Sequence, residues 1–291
     1  MIVVKLQGGL GNQMFQYAAA RGTGDTNIFF DLAFFKTHHS HTDLFTPRSF
    51  ELNIFSEVIG SKFNSFQERL FNSGNLMAKV LRNLVYGKMH VVKEQDMESV
   101  SIPKAERLLL QGFFQSEKYF TAIRDQLIYE FQFPALDQRN QKQADTIKSL
   151  ENSVSIHVRR SDYLKPKVQE HLFTMSLEYY QQAINLLNRR LVNPTYIIFS
   201  DDPTWCESNL LNSNANFLLV KGNDGSGAWK DMCLMAQCKH HIIANSSFSW
   251  WGAWLSNRED NLVVAPKNWF IDRSKNDVAQ CELIPKNWIK L

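Results

Sequence analysis

Residues 153–163 read SVSIHVRRSDY. Val154, Ile156 and Val158 alternate with Ser155, His157 and Arg159, which predicts a strand with one apolar face and one face that carries the chemistry. The strand runs out into two arginines and an aspartate. A guanidinium drawn toward the interior needs a counter-charge. Arg159 and Arg160 are therefore matched either by a protein carboxylate, Asp162 being at hand, or by an anionic ligand held in their fork.

Two more segments repeat this strand, polar end, helix rhythm. Residues 195–205, TYIIFSDDPTW, follow a helical stretch at SLEYYQQAINLLNRRL, and residues 240–256 read HHIIANSSFSWWGAWLS. Strands alternating with helices at this spacing predict a parallel sheet, whose ligands bind beyond the carboxyl ends of the strands. In the third segment Ser246 and Ser247 precede a helix predicted from Phe248. Free N–H groups and hydroxyls at a helix start attract an anion, although plain N-capping accounts for the same serines. Phe248, Trp250, Trp251 and Trp254 are expected in the core. Asp202 before Pro203 is an N-cap signal. Asp231, in WKDMCLMAQC, lies on a predicted helix, where a lone acid is ordinarily a solvated charge.

The first half opens as strand (2–6), glycine loop (QGGLGNQ) and helix (14–21), with a second strand at 27–31. Gly9-x-Gly11 and Asp31 imitate a dinucleotide fingerprint, but Met14 stands where the third glycine would permit close helix packing, so NAD is set aside. What the loop offers is close backbone approach at Gly11 and two amides, Asn12 and Gln13. Residues 38–60 are expected to be irregular, 76–85 helical, and 106–120 a strand passing through a glycine into a helix. The polar run at 138–151 marks the boundary, giving domains 1–145 and 146–291.

A length of 291 residues suits two domains, and a formal charge of +3 is too small to indicate nucleic acid. Four cysteines without CxxC spacing fit a reducing compartment. Without a signal-peptide pattern or a spanning apolar run, a cytoplasmic protein is expected. Neither His38, His39 and His41 nor Cys238, His240 and His241 have ligand spacing, and no Asp-x-Asp occurs, so no metal and no cofactor are expected. Residues 61–93 carry Lys62, Arg69, Lys79, Arg82, Lys88 and Lys93 against one acid, Glu68, a net of +5. An ordinary helix packing its apolar face on the domain accounts for this segment; peripheral docking on a membrane surface is the other reading.

Taken together, GGLGNQMFQYAAA, GFFQSEKYF, HVRRSDY, FSDDPTW and CKHHIIANSSFSWWGAWLS closely resemble the bacterial α-1,2-fucosyltransferases of glycosyltransferase family 11, from Val3 to about Lys267. The resemblance implies a GT-B fold, two facing Rossmann-like α/β domains with parallel sheets, the first on the acceptor side and the second binding the donor. It implies inverting, metal-independent transfer of L-fucose from GDP-β-L-fucose to the 2-hydroxyl of a galactose-terminated glycan, which a lipid could carry. By the same resemblance His157 and Arg159 bind the donor, with Arg159 stabilising the leaving diphosphate. Ser246, Ser247 and Phe248 form a phosphate-binding turn, Asp231 accepts hydrogen bonds from guanine, and Asn12 with Gly11 lies near the fucose. The glutamate that α-1,6 relatives carry after the arginine motif is replaced here by Lys167, so Asp162 is the catalytic-base candidate by proximity alone. The rival readings are a GDP-fucose transferase with another acceptor position or a peptide acceptor, and a non-catalytic glycan-binding module.

Overall fold

The computed structural model describes residues 1–38, 46–94, 98–211, 215–256 and 258–291; His39 and His41 lie outside them. The chain divides into two compact units, Met1–Pro134 and Ala135–Leu291.

The first unit holds β1 (Ile2–Lys5), β2 (Ile28–Asp31), β3 (Ser61–Lys62), β4 (His90–Lys93) and β5 (Leu108–Gln111), all parallel, in the order β3-β2-β1-β5-β4. β1 is central and its Ile2, Val3 and Val4 are buried, as a continuous apolar run between two covered faces should be. The helix Leu10–Arg21 springs directly from the glycine loop, earlier than the expected start at Met14. Every residue in it is buried except Asn12. Its last residue, Arg21, makes a buried ion pair of 2.8 Å with Glu130, to which the Tyr17 hydroxyl also donates at 2.7 Å.

The second unit holds β6 (Ser153–Val158), β7 (Thr195–Ser200), β8 (Asn216–Leu219), β9 (His240–Ile242), β10 (Val263–Ala265) and β11 (Ile289–Lys290), again all parallel. Their order is β11-β10-β9-β6-β7-β8. Counted within the unit, this is the doubly wound order in which the chain moves outward through three strands and returns to build the other side. The reversal falls between β6 and β9. Val154, Ile156 and Val158 pack on Tyr180, Ala183 and Leu187 of the helix Leu177–Asn188, one side of that helix at i, i+3 and i+7. Ile197 and Phe199 pack on the opposite layer, against Ala144, Ile147, Leu234 and Met235. The expected α/β class with two parallel sheets therefore holds.

The division between the units precedes the helix Gln138–Ser149, through which the sequence-based boundary at 145/146 ran. That helix is N-capped by Asp137 and buries Ala144 and Ile147 in the second unit.

The expectation for residues 76–85 is half met. The helix Leu76–Tyr86 forms, N-capped by the Asn75 side chain. Yet it packs on the first unit through Ala78 and Tyr86, while its broad apolar arc faces outward: Leu76 is 74 %, Met77 78 % and Leu84 77 % exposed.

Candidate active site

In the second unit β6 and β7 run in register, Val158 beside Ser200. The next residue on each strand is Arg159 and Asp201, so strand pairing alone sets a guanidinium beside a carboxylate. Arg159 Nη2 donates to Asp162 Oδ2 at 2.6 Å, and Nη1 lies 2.9 Å from Asp201 Oδ2. Burial pulls the Arg159 pKa down, but Asp201 and then Asp162 more than offset it, and the net shift is upward. Asp201 also accepts the Arg160 backbone N–H through Oδ1 at 2.8 Å.

Arg160 departs to the other side. Its Nε donates to Asp202 at 3.3 Å and its guanidinium lies 4.3 Å from the centre of the Trp205 ring. Asp202 is also the N-cap the sequence suggested, accepting from the Trp205 N–H at 3.1 Å ahead of Pro203. Both arginines thus have the carboxylate partners that were one of the two sequence readings, with Asp201 as the partner the motif did not reveal. The signal was available: TYIIFSDD ends its strand at the same level as SVSIHVRR.

His157, one residue before this cluster, is buried, and its Nδ1 has no hydrogen-bond partner. Burial, with the Arg159 charge as a second cause, lowers its pKa to about 3, so the ring is neutral. It lies 5.7 Å, centre to centre, from the Phe248 ring. That contact joins the β6 motif to the one after β9 across the point where strand order reverses. Tyr163 ties the same two loops, donating its hydroxyl to the Asn245 carbonyl at 2.9 Å.

Past β9, Ser246 caps the helix Ser247–Trp254, accepting from the Phe248 N–H at 3.3 Å. The capping reading of this serine is therefore correct. Ser247 is partly exposed at the first helical position, where N–H groups carry the positive end of the helix dipole. Trp250, Trp251 and Trp254 are core residues as expected; Phe248 is only half-buried, against His157.

Asp231 sits in the first turn of the helix Trp229–Gln237, which follows the carboxyl end of β8 and packs on Ser247–Trp254. Gly252 makes that approach feasible, since a Cβ there would lie 3.0 Å from the Met235 Cβ. Asp231 is no solvated charge: burial raises its pKa to about 7, against the opposing hydrogen bond from Asn223 Nδ2 to its Oδ1 at 2.7 Å. Asn223 is locked in turn by a reciprocal amide pair with Asn140, 3.0 and 2.8 Å, a network sequence reading missed. Two asparagines 83 residues apart leave no local signature.

Asn12 and Gly11 belong to the first unit and its own strand reversal. Gly8 takes φ +76°, and a Cβ there would sit 2.4 Å from the Asn12 Nδ2, so glycine is required for the turn. Asn12 Oδ1 accepts from Gln115 Nε2 at 2.7 Å, which joins the loops after β1 and β5. Gln13, the other amide of the loop, is consumed by the fold: it donates to the Gly8 and Ser49 carbonyls and accepts from the Glu51 N–H. Cys238 and His241 are buried as expected, and His241 Nδ1 lies 2.8 Å from the Ser155 hydroxyl. Among the described residues no group of three His, Cys, Asp or Glu side chains could hold a metal, and no helix is long and apolar enough to cross a membrane.

Residues 1–291 match the model of Glycosyl transferase family 11. An alpha-1,2-colitosyltransferase of Escherichia coli is 31% identical, with 100% of this chain and 99% of that protein covered. The O-antigen biosynthesis glycosyltransferase WbnK of Escherichia coli is also 31% identical, over 98% of this chain and 99% of its own. Galactoside alpha-(1,2)-fucosyltransferase 1 of Saimiri sciureus is 27% identical over 51% of this chain and 43% of its own. With a family match over its full length and a 31% identical relative covered end to end, this chain belongs to glycosyltransferase family 11 and is a glycosyltransferase.

Proposed function

We propose that the chain transfers L-fucose from GDP-β-L-fucose to the 2-hydroxyl of a galactose at the end of a glycan, with inversion at the anomeric carbon and without a metal ion. The observation that carries this reading is the cluster at the β6/β9 reversal. A fork-shaped guanidinium, a buried histidine with an unpartnered Nδ1 and a helix N-terminus converge there.

In this reading the acceptor oxygen attacks C1 opposite the diphosphate, the bond from C1 to the diphosphate oxygen breaks, and the acceptor proton is lost. The main electrostatic task is to stabilise the departing GDP. Arg159 carries that task, with the Ser246 and Ser247 hydroxyls cradling phosphate oxygens beside the Phe248 ring and Asp231 accepting from the guanine edge. Asp162, committed through Oδ2 to Arg159, orients the guanidinium. In a loose, oxocarbenium-like displacement the proton leaves late, and water can take it. Asn12, the one helix residue left partly exposed, and Gly11 are assigned to the sugar by the resemblance of the glycine loop alone. The first unit then serves the acceptor and the second the donor. A lipid-linked galactoside at a membrane surface is the acceptor class that suits a chain of this kind.

A second donor has a specific observation behind it. The 31% identical colitosyltransferase is named for a sugar that is the 3-deoxy analogue of fucose. The discriminating group is the 3-hydroxyl. A site that hydrogen-bonds it rejects the deoxy donor strongly, because buried polar groups are left unpaired.

The test is purified protein with GDP-fucose and with GDP-colitose, with and without EDTA, against a panel of β-galactosides, the product linkage being read by NMR. An α-1,2-fucosylated product formed equally in EDTA is expected. Preference for the deoxy donor would replace the donor assignment, and loss of activity in EDTA would remove metal independence. A product substituted elsewhere on galactose, or on a peptide, would move the acceptor.

A further inference from the structure

The helix Leu76–Tyr86 has its hydrophobic side on the outside. At 100° per residue, Leu76, Val80, Leu84, Met77, Leu81 and Val85 sweep one continuous half of the helix. All six are exposed, from 42% at Leu81 to 78% at Met77. The inner side, Ala78, Arg82 and Tyr86, already meets the unit's core, Arg82 lying over the Phe71 ring. No rotation of the helix could bury the arc without expelling that contact.

The arc continues into an open apolar groove of about 1040 Å³ between this helix and Ser65–Asn72. Phe66 and Val91, from neighbouring elements, are half exposed as well. An exposed apolar surface of this extent marks an interaction site.

The charge around it identifies the occupant. The segment 61–93 has six cations and one acid, and that acid, Glu68, is neutralised by Lys36 at 2.6 Å. Lys79, exposed, flanks the apolar half on its Leu76 side, while Arg69 lines the groove and Lys88 and Lys93 follow the helix, both exposed. An apolar arc edged by long basic side chains is the pattern of a helix lying flat in a lipid interface, with the cations reaching up to anionic headgroups. A second copy of the chain is disfavoured, because it would set one segment of +5 against another.

We infer that the helix Leu76–Tyr86 and its groove dock the first unit on an anionic phospholipid bilayer. The surface holds by apolar insertion and by charge together, and each basic residue near an anionic membrane is worth about fivefold in partition. This inference is independent of the donor and acceptor assignments.

The test is flotation of the full chain with phosphatidylcholine vesicles, with and without phosphatidylglycerol. Sedimentation velocity runs alongside, and thermal melting checks the fold of each variant. The wild type should float with the anionic vesicles at low salt and be released as salt rises. Leu76→Ser/Met77→Ser/Leu84→Ser, all at exposed positions, should weaken partition at least about tenfold. Lys79→Glu/Lys88→Glu should abolish the preference for phosphatidylglycerol. No flotation of the wild type would overturn the inference; if a dimer were lost in the triple variant, the face would be a self-association surface. Equal flotation of the wild type and the triple variant would move the docking site elsewhere.

Discussion

Asp201 holds two consecutive residues at once: its Oδ1 accepts the Arg160 N–H at 2.8 Å while its Oδ2 lies 2.9 Å from the Arg159 Nη1. One carboxylate thereby fixes both the backbone at the end of β6 and the direction of the guanidinium. In Asp201→Asn the amide oxygen can keep the backbone bond, but the NH2 group then faces the guanidinium, donor against donor. The turnover number should fall on the order of 10- to 100-fold, the range expected when a transition-state contact loses its orientation, while GDP affinity changes little. Arg159→Ala should cost more, about 3 kcal/mol or above in transition-state stabilisation. Steady-state kinetics beside GDP titration separates these outcomes; an unimpaired turnover number in Asp201→Asn would remove Asp201 from the machinery.

The burial of Asp231 gives donor binding a pH dependence. Its pKa of about 7 leaves protonated and ionised forms in balance near neutrality. If guanine is read through hydrogen bonds to the carboxylate, protonation removes an acceptor, so GDP binds more tightly as pH rises. Between pH 6 and pH 8 the dissociation constant should fall about tenfold, and Asp231→Asn should flatten the profile. Calorimetry of GDP binding across that interval checks it, with a pH-independent constant in the wild type as the contrary result.

How much of this was legible in the sequence follows from where the information sits. β6 announces itself by alternation and β7 by a continuous apolar run, and both, like the HHIIA run of β9, give way to polar residues at the carboxyl end. β3, β8 and β11 do not announce themselves, since edge strands are short and partly exposed and have little pattern to give. His157 and Arg159 were visible in one contiguous motif and Ser246 in another. Asp201 required the register of two strands, and Asn140 with Asn223 required the tertiary fold. The outward arc of Leu76–Tyr86 was one of two readings of a basic amphipathic segment, and the sequence did not choose between them. Amphipathicity shows that a helix has an apolar side and leaves open what that side meets.

The Asn140–Asn223 pair should be costly to break from one side. Asn223→Ala leaves the buried Asn140 side-chain carbonyl without its donor, while the Asn140 NH2 keeps Asp137, and it deprives Asp231 of the Asn223 hydrogen bond. An unsatisfied buried polar group costs about 1–3 kcal/mol. The expected result is a lower Tm together with weaker GDP binding. Asn140→Ala, one step further from Asp231, should lower the Tm comparably and affect GDP less. Equal effects of the two variants on GDP would show that Asn223 acts only through general stability.

Two buried neutral histidines predict the direction of acid instability. His157 and His241 both have their pKa lowered to about 3, by burial first, and then by Arg159 for His157 and by His240 for His241. The unfolded chain protonates them near 6.5 and the folded chain does not. Their contribution is therefore complete above that value and is lost progressively as pH falls toward 3. At pH 5 each costs about 2 kcal/mol relative to neutral pH. Denaturant unfolding at pH 7 and pH 5 should show the loss, and His241→Gln, if its amide keeps the Ser155 bond, should reduce it. A wild type equally stable at both values would contradict the buried neutral state.

The ion pair between Arg21 and Glu130 is the strongest stability test in the first unit. Both side chains are 3% exposed, and Glu130 receives Arg21 Nε, Arg21 Nη2, the Tyr17 hydroxyl and the Gln126 amide. Glu130→Ala would leave a guanidinium and a phenol buried without their acceptor, a loss of about 3–5 kcal/mol when one partner of a buried pair is removed. Because the chain consists of two compact units, the cost should appear as early unfolding of the first. In the urea titration the tryptophan signal should lag behind that loss, since the tryptophans all lie in the second unit. Glu130→Ala combined with Arg21→Met removes both members of the pair and should recover part of the loss. Failure to recover any of it would mean that the Tyr17 bond, rather than the ion pair, carries the stability of this corner.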